Sequence, residues 1–576
     1  MFDLAFLFRS PEMLALWVLS AVAGALVLYR LWPWLRRGRR LAALAASLFA
    51  LHAAILTVWA ATVRVDSDEV SHLHCSWLIF HGLVPYRDFW QDHSPLLWYL
   101  LAPAVAQFHS PAVLIFSRAL AGLLFVGMAA TTAWLAWEVS RLRAAGALAA
   151  LLVFAFGVRA EAALLRPDQP ANLLALVSLV LGAKAGVQRG PAWLAGTAFG
   201  LALAFTPKPV FAAFAIPLAV LIALPSPESK GSRPQRVMCL AYYLLGLMAG
   251  FVPLVFLLAR AKIGPRYLFW VLQYHVPAGR VESYLPATLA LVAFGGCVAA
   301  FQARTGRAAA RAVAASGSAP GSSVFSPQAA ASSAPVVIAF ILTTLTGLVS
   351  PSRTPASLML WVALAAVLGS PLLLACLLGD TASKAQGTSG ASSATANLGP
   401  CKLDESQLTS RSGSLWLKVG VVALVLLECE ALAPLLNRPT LGDFAADRAR
   451  MAWMIQRAGD RPVLLVTPVH DIYSRDATGL YELWQYSHYL RDPAVNASFS
   501  GLAKAVISSR PALIAVAPRR ITDDPEPLSA NRPRLFDTLV GFGLLTPAEW
   551  QALDQFLRDN YSLVEMNGEA FYVAKR

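Results

Sequence analysis

Charge is scarce in this chain. Only 14% of its 576 residues are Asp, Glu, Lys or Arg, where soluble globular proteins carry about a quarter. Hydrophobic residues make up 57% and the mean hydropathy is +0.57, so an ordinary soluble domain is excluded for most of the length. Cysteine is also sparse. Of the six, Cys239, Cys297, Cys376 and Cys429 lie inside apolar runs. None is spaced as a metal knuckle or a disulfide framework, which excludes both architectures. A secretory leader is missing too: Phe2 to Phe8 carries no basic residue and no small-residue cleavage site follows, so the first apolar run is expected to remain as a span. The net charge of +14 does not indicate nucleic acid, because the Lys and Arg residues sit in short loops between apolar runs, where they set membrane orientation.

What the chain does have is long apolar segments. They fall at about 11–34, 41–63, 111–139, 144–158, 171–186, 191–206, 209–224, 237–259, 286–303, 335–350, 355–378 and 416–436, and are read as crossings although several are short for a bilayer. The expected fold is a polytopic all-α membrane domain of about 12 transmembrane helices over residues 1–436, followed by a small extracytoplasmic α/β domain over 437–576. Basic loops at Arg36–Arg40, Arg141–Arg143, Lys184–Arg189, Lys230–Arg236 and Arg304–Arg311 share one side and define it as cytoplasmic. The loop 64–110 then faces outward, with the Pro207-Lys208-Pro209 turn and the C-terminal domain. Segment 94–109 is apolar but short; it is expected to lie along the outer interface, where Trp98 and Tyr99 are favoured. Two Ala/Ser/Gly-rich stretches, 312–334 and 380–400, are expected to be disordered cytoplasmic loops.

Beyond residue 437 the composition becomes that of a soluble domain. Phe444–Ala458 and Trp550–Asp559 have helical periodicity. Val463–Val466 and Leu513–Val516 are apolar runs of strand length, and Tyr561–Met566 with Phe571–Ala574 flank Asn567-Gly568 as a hairpin.

The outward loop concentrates the chemistry. It contains Asp66-Ser67-Asp68-Glu69, then His72, His74, His81 and His93, although the whole chain has only nine histidines. Carboxylates beside an apolar helix are costly without a task. Asp68 and Glu69 are the candidate catalytic acids, with Asp68 able to take a proton from an acceptor hydroxyl or amine. Arg118, Arg166 and Lys208 fall near the outer ends of spans and suit a phosphate leaving group. Arg159 lies on the same face, where snorkelling explains it as well. Asp168 either caps the next helix or orients one of these cations. No cofactor is required; a divalent metal held by Asp68, His72 and His74 is the alternative that the residue types allow. His470, Asp471 and Tyr473 mark a further contact region at a strand end of the outer domain.

The order of these motifs resembles a known superfamily. Asp68-Glu69 follows a span, then come Gly82-x-x-Pro85-Tyr86-x-Asp88, His93-x-Pro95-Leu96, Arg118, Arg166-Pro167-Asp168 and Lys208. This resembles the GT-C membrane glycosyltransferases, in the branch of protein O-mannosyltransferases and the aminoarabinose transferase of lipid A. The resemblance covers residues 41–285. It implies transfer of a sugar, hexose or pentose, from a polyprenyl-phosphate donor to a lipid, glycan or protein acceptor, with inversion. The site would be the outer face of a bacterial cytoplasmic membrane. Asp68 would be the general base, Glu69 its support, and Lys208, Arg118 and Arg166 would hold the donor phosphate. His72, Tyr86, Asp88, His93 and Asp168 would contact substrate. Asp68-Glu69-Val70-Ser71-His72 is one residue longer than the Asp-Glu-x-His pattern of the mannosyltransferases, and Asp66 offers an alternative Asp-x-Asp pair for a metal. A transporter or flippase of lipid-linked saccharides shares the broken spans and is the competing class.

Overall fold

A computed structural model describes residues 39–89, 91, 93–140, 142–157, 162–185, 189–222, 233–273, 336–343, 359–378, 443–465, 472–475, 501–515, 545–567 and 569–575. The expected spans 11–34, 286–303 and 416–436, the stretches 312–334 and 380–400, Arg159, His470 and Asp471 lie outside these residues.

Among the described residues the helices run α1 (Arg39–Thr62), α2 (Ser67–Phe80), α3 (Leu96–Phe108), α4 (Ala112–Ser140), α5 (Arg143–Ala155), α6 (Asp168–Ala185), α7 (Arg189–Phe205), α8 (Ala215–Ile222) and α9 (Arg233–Ala261). Residues 336–343 and Met359–Leu378 add further apolar helix. Two of the described helices, Ala112–Ser140 and Val237–Ala261, are long and apolar enough to cross a membrane. Along α9, Val237, Leu245, Met248, Val252 and Phe256 are all exposed. An uninterrupted apolar surface of that length suits lipid rather than water.

Proline and glycine shape the bundle. Pro207 and Pro209 end α7, and the chain continues through a 3₁₀ turn (Val210–Phe214) into the short α8, which divides the apolar region as the two prolines require. The α7–α9 contact is built from Gly196 and Gly200 on one helix and Gly246 and Gly250 on the other. A Cβ at any of them would stand 2.0–2.2 Å from a backbone carbonyl of the opposite helix. The two backbones therefore approach closely enough for dense dispersion contact, which is how helices associate when lipid removes the hydrophobic drive.

α3 packs on α2 through Trp98, which is fully buried against Tyr86, Phe89 and His72, while Leu100, Pro103, Gln107 and Phe108 are exposed. The indole N–H has a buried partner on α2, so the ring is satisfied there.

The C-terminal region forms a four-stranded sheet in the order β1 (Val463–Leu465), β2 (Leu513–Ala515), β4 (Glu569–Ala574), β3 (Tyr561–Met566). β1 and β2 are parallel, and β3 and β4 form the hairpin at Asn567, whose φ of 49° is the left-handed conformation such a turn needs. Helices Asp443–Ala458, Leu502–Ser509 and Pro547–Asn560 cover it, the last closed by a capping box between Thr546 and Glu549.

This region is pinned to the helical bundle. Asp447 accepts the backbone N–H of Val65 at 2.9 Å, Arg64 bridges to Glu569 at 3.3 Å, and Tyr473 donates its hydroxyl to the Ser110 carbonyl at 3.2 Å. Buried Arg450 joins Asp447.

Candidate functional site

Three chain turns at one end of the bundle bring the chemistry together: the start of α2, the start of α6 and the turn after α7. Asp66 caps α2, accepting the Asp68 N–H at 2.9 Å, a use for which Asp at a helix start is well suited. The same carboxylate takes Arg166 at 3.0 Å, and Asp68 lies 3.4 Å from the other Arg166 nitrogen. Two residues on, Asp168 opens α6 and accepts Lys208 at 2.9 Å. Asp68, Asp66, Arg166, Asp168 and Lys208 thus form one partly solvated constellation of paired charges, with Asp68 22% and Lys208 23% exposed at their side chains.

Arg118 and Glu69 stand apart from it. Both are buried, at 2% and 0% exposure. The guanidinium meets Glu69 at 3.1 Å, donates to the carbonyls of Ala60, Val63 and Arg64 at the end of α1, and lies 4.0 Å over the Phe444 ring. Ser117 completes the carboxylate at 2.7 Å. Successive residues of α2 point about 100° apart, so Glu69 faces Ser117 and Arg118 of α4 while Asp68 faces Arg166. In this arrangement the pair is a lock between α1, α2 and α4, and the phosphate role expected of Arg118 has no exposed donor to perform it.

The histidines divide in the same way. His72 follows Asp68 by four residues and shares its face of α2. Its Nδ1 accepts the Trp98 indole N–H at 2.9 Å. His74 projects from a different side, bonding the Ile472 carbonyl at 3.0 Å, and burial pushes its pKa down to about 3 against the small opposing effect of that bond. Asp68, His72 and His74 therefore do not converge. Among the described residues no three His, Cys, Asp or Glu side chains group as metal ligands.

Hydrogen bonds tie the described residues between α2 and α3 together. Gly82 and Tyr86 hold positive φ, Asp88 accepts the Val84 N–H at 2.8 Å, and Tyr86 donates to the His93 carbonyl. Asp88 is also clasped by Arg87 at 2.7 Å, which with its other hydrogen bonds holds its carboxyl below the usual range. Asp88 shapes the turn, and Tyr86, 4% exposed, packs behind it. His93 is half-buried, edge-on to His72 with ring centres 5.1 Å apart. Next to it, Ser94 donates to the Ala204 carbonyl at 2.6 Å, tying this loop to the end of α7 close to Lys208.

A cavity of about 770 Å³ opens beside that turn, lined by Leu203, Pro207, Val210, Phe251, Val255, Leu258 and Tyr267, with Lys262 at its edge. Its walls are almost wholly apolar. Gln91 and Ser117, which help organise the site, carried no sequence signal of their own. Asp447 and Ile472 act from hundreds of positions away.

No protein-family model matches the chain, and no curated protein matches it in sequence. Among solved structures, it is similar to ArnT from Cupriavidus metallidurans bound to undecaprenyl phosphate, at 15% identity over 91% of this chain and 97% of that one, with a TM-score of 0.46. It is also similar to the archaeal oligosaccharyltransferase AglB from Archaeoglobus fulgidus, in complex with an inhibitory peptide and a dolichol-phosphate, at 12% identity over 94% and 75% of the two chains, with a TM-score of 0.44.

Proposed function

We propose that the protein is a GT-C-type membrane glycosyltransferase that moves a sugar from a polyprenyl-phosphate donor to an acceptor at the outer face of the cytoplasmic membrane. The observation that carries this reading is an apolar cavity whose wall includes Pro207, the residue before Lys208 of the charged constellation. The cavity suits an isoprenoid tail, since burying each methylene gains about 0.8 kcal/mol. In this reading Lys208, next to Pro207 of the cavity wall, and Arg166 supply the cations for the phosphate, Lys as a point charge and Arg as a fork.

Transfer follows from the same geometry. In the resting site Arg166 is shared by Asp66 and Asp68. A donor phosphate competes for Arg166, and Asp68 exchanges part of its ion pair for the acceptor hydroxyl or amine. Asp68 takes the acceptor's proton as the acceptor atom attacks the anomeric carbon from the side opposite the phosphate. The C–O bond to phosphate breaks, the configuration inverts, and polyprenyl phosphate leaves on Lys208 and Arg166. Asp168 aims Lys208; Tyr86 and Asp88 hold the loop that carries His93. Glu69 supports Asp68 through the fold of α2 rather than by contact. The C-terminal domain lies on the acceptor side.

The experiment is reconstitution in liposomes with a panel of polyprenyl-phosphate sugars, hexoses and pentoses, and crude envelope acceptors. The expected result is a glycosylated acceptor with one polyprenyl phosphate released per sugar moved, in either presence or absence of chelator. Sugar-lipid that crosses the bilayer intact, with no phosphate released, would replace this reading with transport.

A further inference from the structure

The turn from α1 into α2, residues 63–66, contains neither glycine nor proline, and its backbone is gripped from two sides. From the bundle, buried Arg118 donates to the carbonyls of Ala60, Val63 and Arg64. From the C-terminal region, Asp447 accepts the Val65 N–H at 2.9 Å. The next residue, Asp66, caps α2 and takes Arg166 at 3.0 Å, and Asp68 stands 3.4 Å from the same guanidinium. Only three residues of backbone therefore separate the amide that Asp447 holds from Asp68.

The helix Asp443–Ala458 explains why an acid sits there. Phe444, Asp447, Met451, Met454 and Ala458 recur at three- and four-residue spacing and are all buried, so they form one inward face. A carboxylate in such a row is costly unless donors meet it. Asp447 has three: the Val65 N–H, Arg450 of its own helix and Arg64 at 3.8 Å. Arg64 and Arg450 also lie 3.3 and 3.8 Å from Glu569, so two cations and two acids balance the charge of the junction. The bond to Val65 adds nothing to that balance, because its donor is a neutral amide. What it does is fix the chain as it enters α2. Three residues earlier on the same face, Phe444 lies 4.0 Å under Arg118, so one helix face meets both groups that grip the turn.

Resting on the transferase reading, we propose that Asp447 is a positioning residue for Asp68, which makes the C-terminal region a working part of the reaction centre. Asp447 fixes Val65, Val65 leads into the cap at Asp66, and the cap with Arg166 sets where Asp68 stands as it takes the acceptor's proton. A displacement of about 1 Å in a reacting group can cost about 10²-fold in rate, so a lost tether three residues away is felt in the chemical step. Donor binding does not share this route. Lys208 is held by Asp168 at the start of α6, an element that Asp447 does not touch.

The test uses the full chain in liposomes with whichever polyprenyl-phosphate sugar wild type turns over, comparing Asp447→Leu, Asp447→Asn and Arg450→Met. Asp447→Leu removes the acceptor for Val65, Asp447→Asn keeps an oxygen for it, and Arg450→Met loosens the junction while leaving that bond in place. Asp447→Leu should lower kcat about 10- to 10²-fold with donor KM within about threefold of wild type. Asp447→Asn and Arg450→Met should keep kcat within about threefold, although both shorten the inactivation half-life. An Asp447→Leu kcat within about threefold of wild type, or an equal loss in Arg450→Met, overturns the proposal. Replacing Val65 by its α-hydroxy acid, which removes the N–H and keeps every side chain, should reproduce the kcat loss; full kcat there overturns the proposal even where Asp447→Leu does not fold. Independently of activity, hydrogen exchange of the amides in residues 63–70 should be slow in wild type and Arg450→Met and fast in Asp447→Leu; equal protection in all three overturns it as well. No phosphate release by wild type from any donor refutes the transferase reading, and the positioning role with it.

Discussion

Replacing Glu69 by Gln keeps the volume of the side chain and removes one charge from a buried pair. The guanidinium of Arg118 is 2% exposed and Glu69 0%, so neither solvent nor salt can screen the loss. Arg118 would keep its carbonyl acceptors on α1 and its stacking on Phe444 but would lose its counter-charge at 3.1 Å. Stranding one member of such a pair costs about 3–5 kcal/mol. Arg118→Met should cost a similar amount, because it strands Glu69 and leaves the carbonyls of Ala60 and Val63 without their donor. The double variant Glu69→Gln with Arg118→Met should cost less than the sum of the two, giving a coupling of about 2 kcal/mol or more. Membrane proteins seldom unfold reversibly, so the assay is the inactivation half-life at fixed temperature in detergent, with ligand-free protein. Additive single effects, with Glu69→Gln as stable as wild type and a raised donor KM, would refute the lock and return Arg118 to phosphate binding.

Other expectations follow from the same structure. Lys208→Ala leaves the buried Asp168 without its partner at 2.9 Å, so stability should fall by about 1–3 kcal/mol while donor KM rises about tenfold or more; an unchanged KM would leave Lys208 as the counter-charge of Asp168 only. His74 gives a signed pH dependence. The unfolded chain binds its proton near pH 6.5 and the folded chain near 3, so stability is complete above 6.5 and falls as pH drops toward 3, by about 1.4 kcal/mol per unit. Between pH 6.5 and 5 the loss is about 2 kcal/mol, and His74→Gln should flatten that slope in half-life measurements; an identical slope contradicts the assignment. Gly200→Val would drive a Cβ to 2.1 Å from the Leu247 carbonyl, forcing α7 from α9 at a cost of about 3 kcal/mol or more. Gly122→Ala, with nothing within 4 Å of its Cβ, is the control that should be neutral.

Much of this was legible in the sequence because it rests on local pattern. Hydropathy marks apolar helices such as α4 and α9, Pro207 and Pro209 mark a break, and Tyr561–Met566 with Asn567 marks the final hairpin. The spacing Asp66-x-Asp68 and Arg166-x-Asp168 was visible too, and the fold brings these stretches to one corner. What the sequence could not convey was depth. Arg118 and Arg166 look alike along the chain, yet one is sealed by α1, α2 and Phe444 and the other meets two part-exposed aspartates. Trp98 and Tyr99 together read as an interfacial pair; that the indole also donates to His72 on α2 is a contact no local pattern conveys. Asp447 shows the same limit, since its bond to Val65 spans 382 positions and depends on how two regions dock, not on any nearby residue type.

The most direct test of the central claim is single-turnover release of polyprenyl phosphate by wild type, Asp68→Asn and Asp66→Asn in the same liposomes. Wild type should release it in step with sugar transfer. Asp68→Asn should slow release by about 10²–10⁴-fold at unchanged stability, because a base is lost without loss of volume, and Asp66→Asn should act mainly through the start of α2, with a smaller loss. Full release by Asp68→Asn would contradict the account.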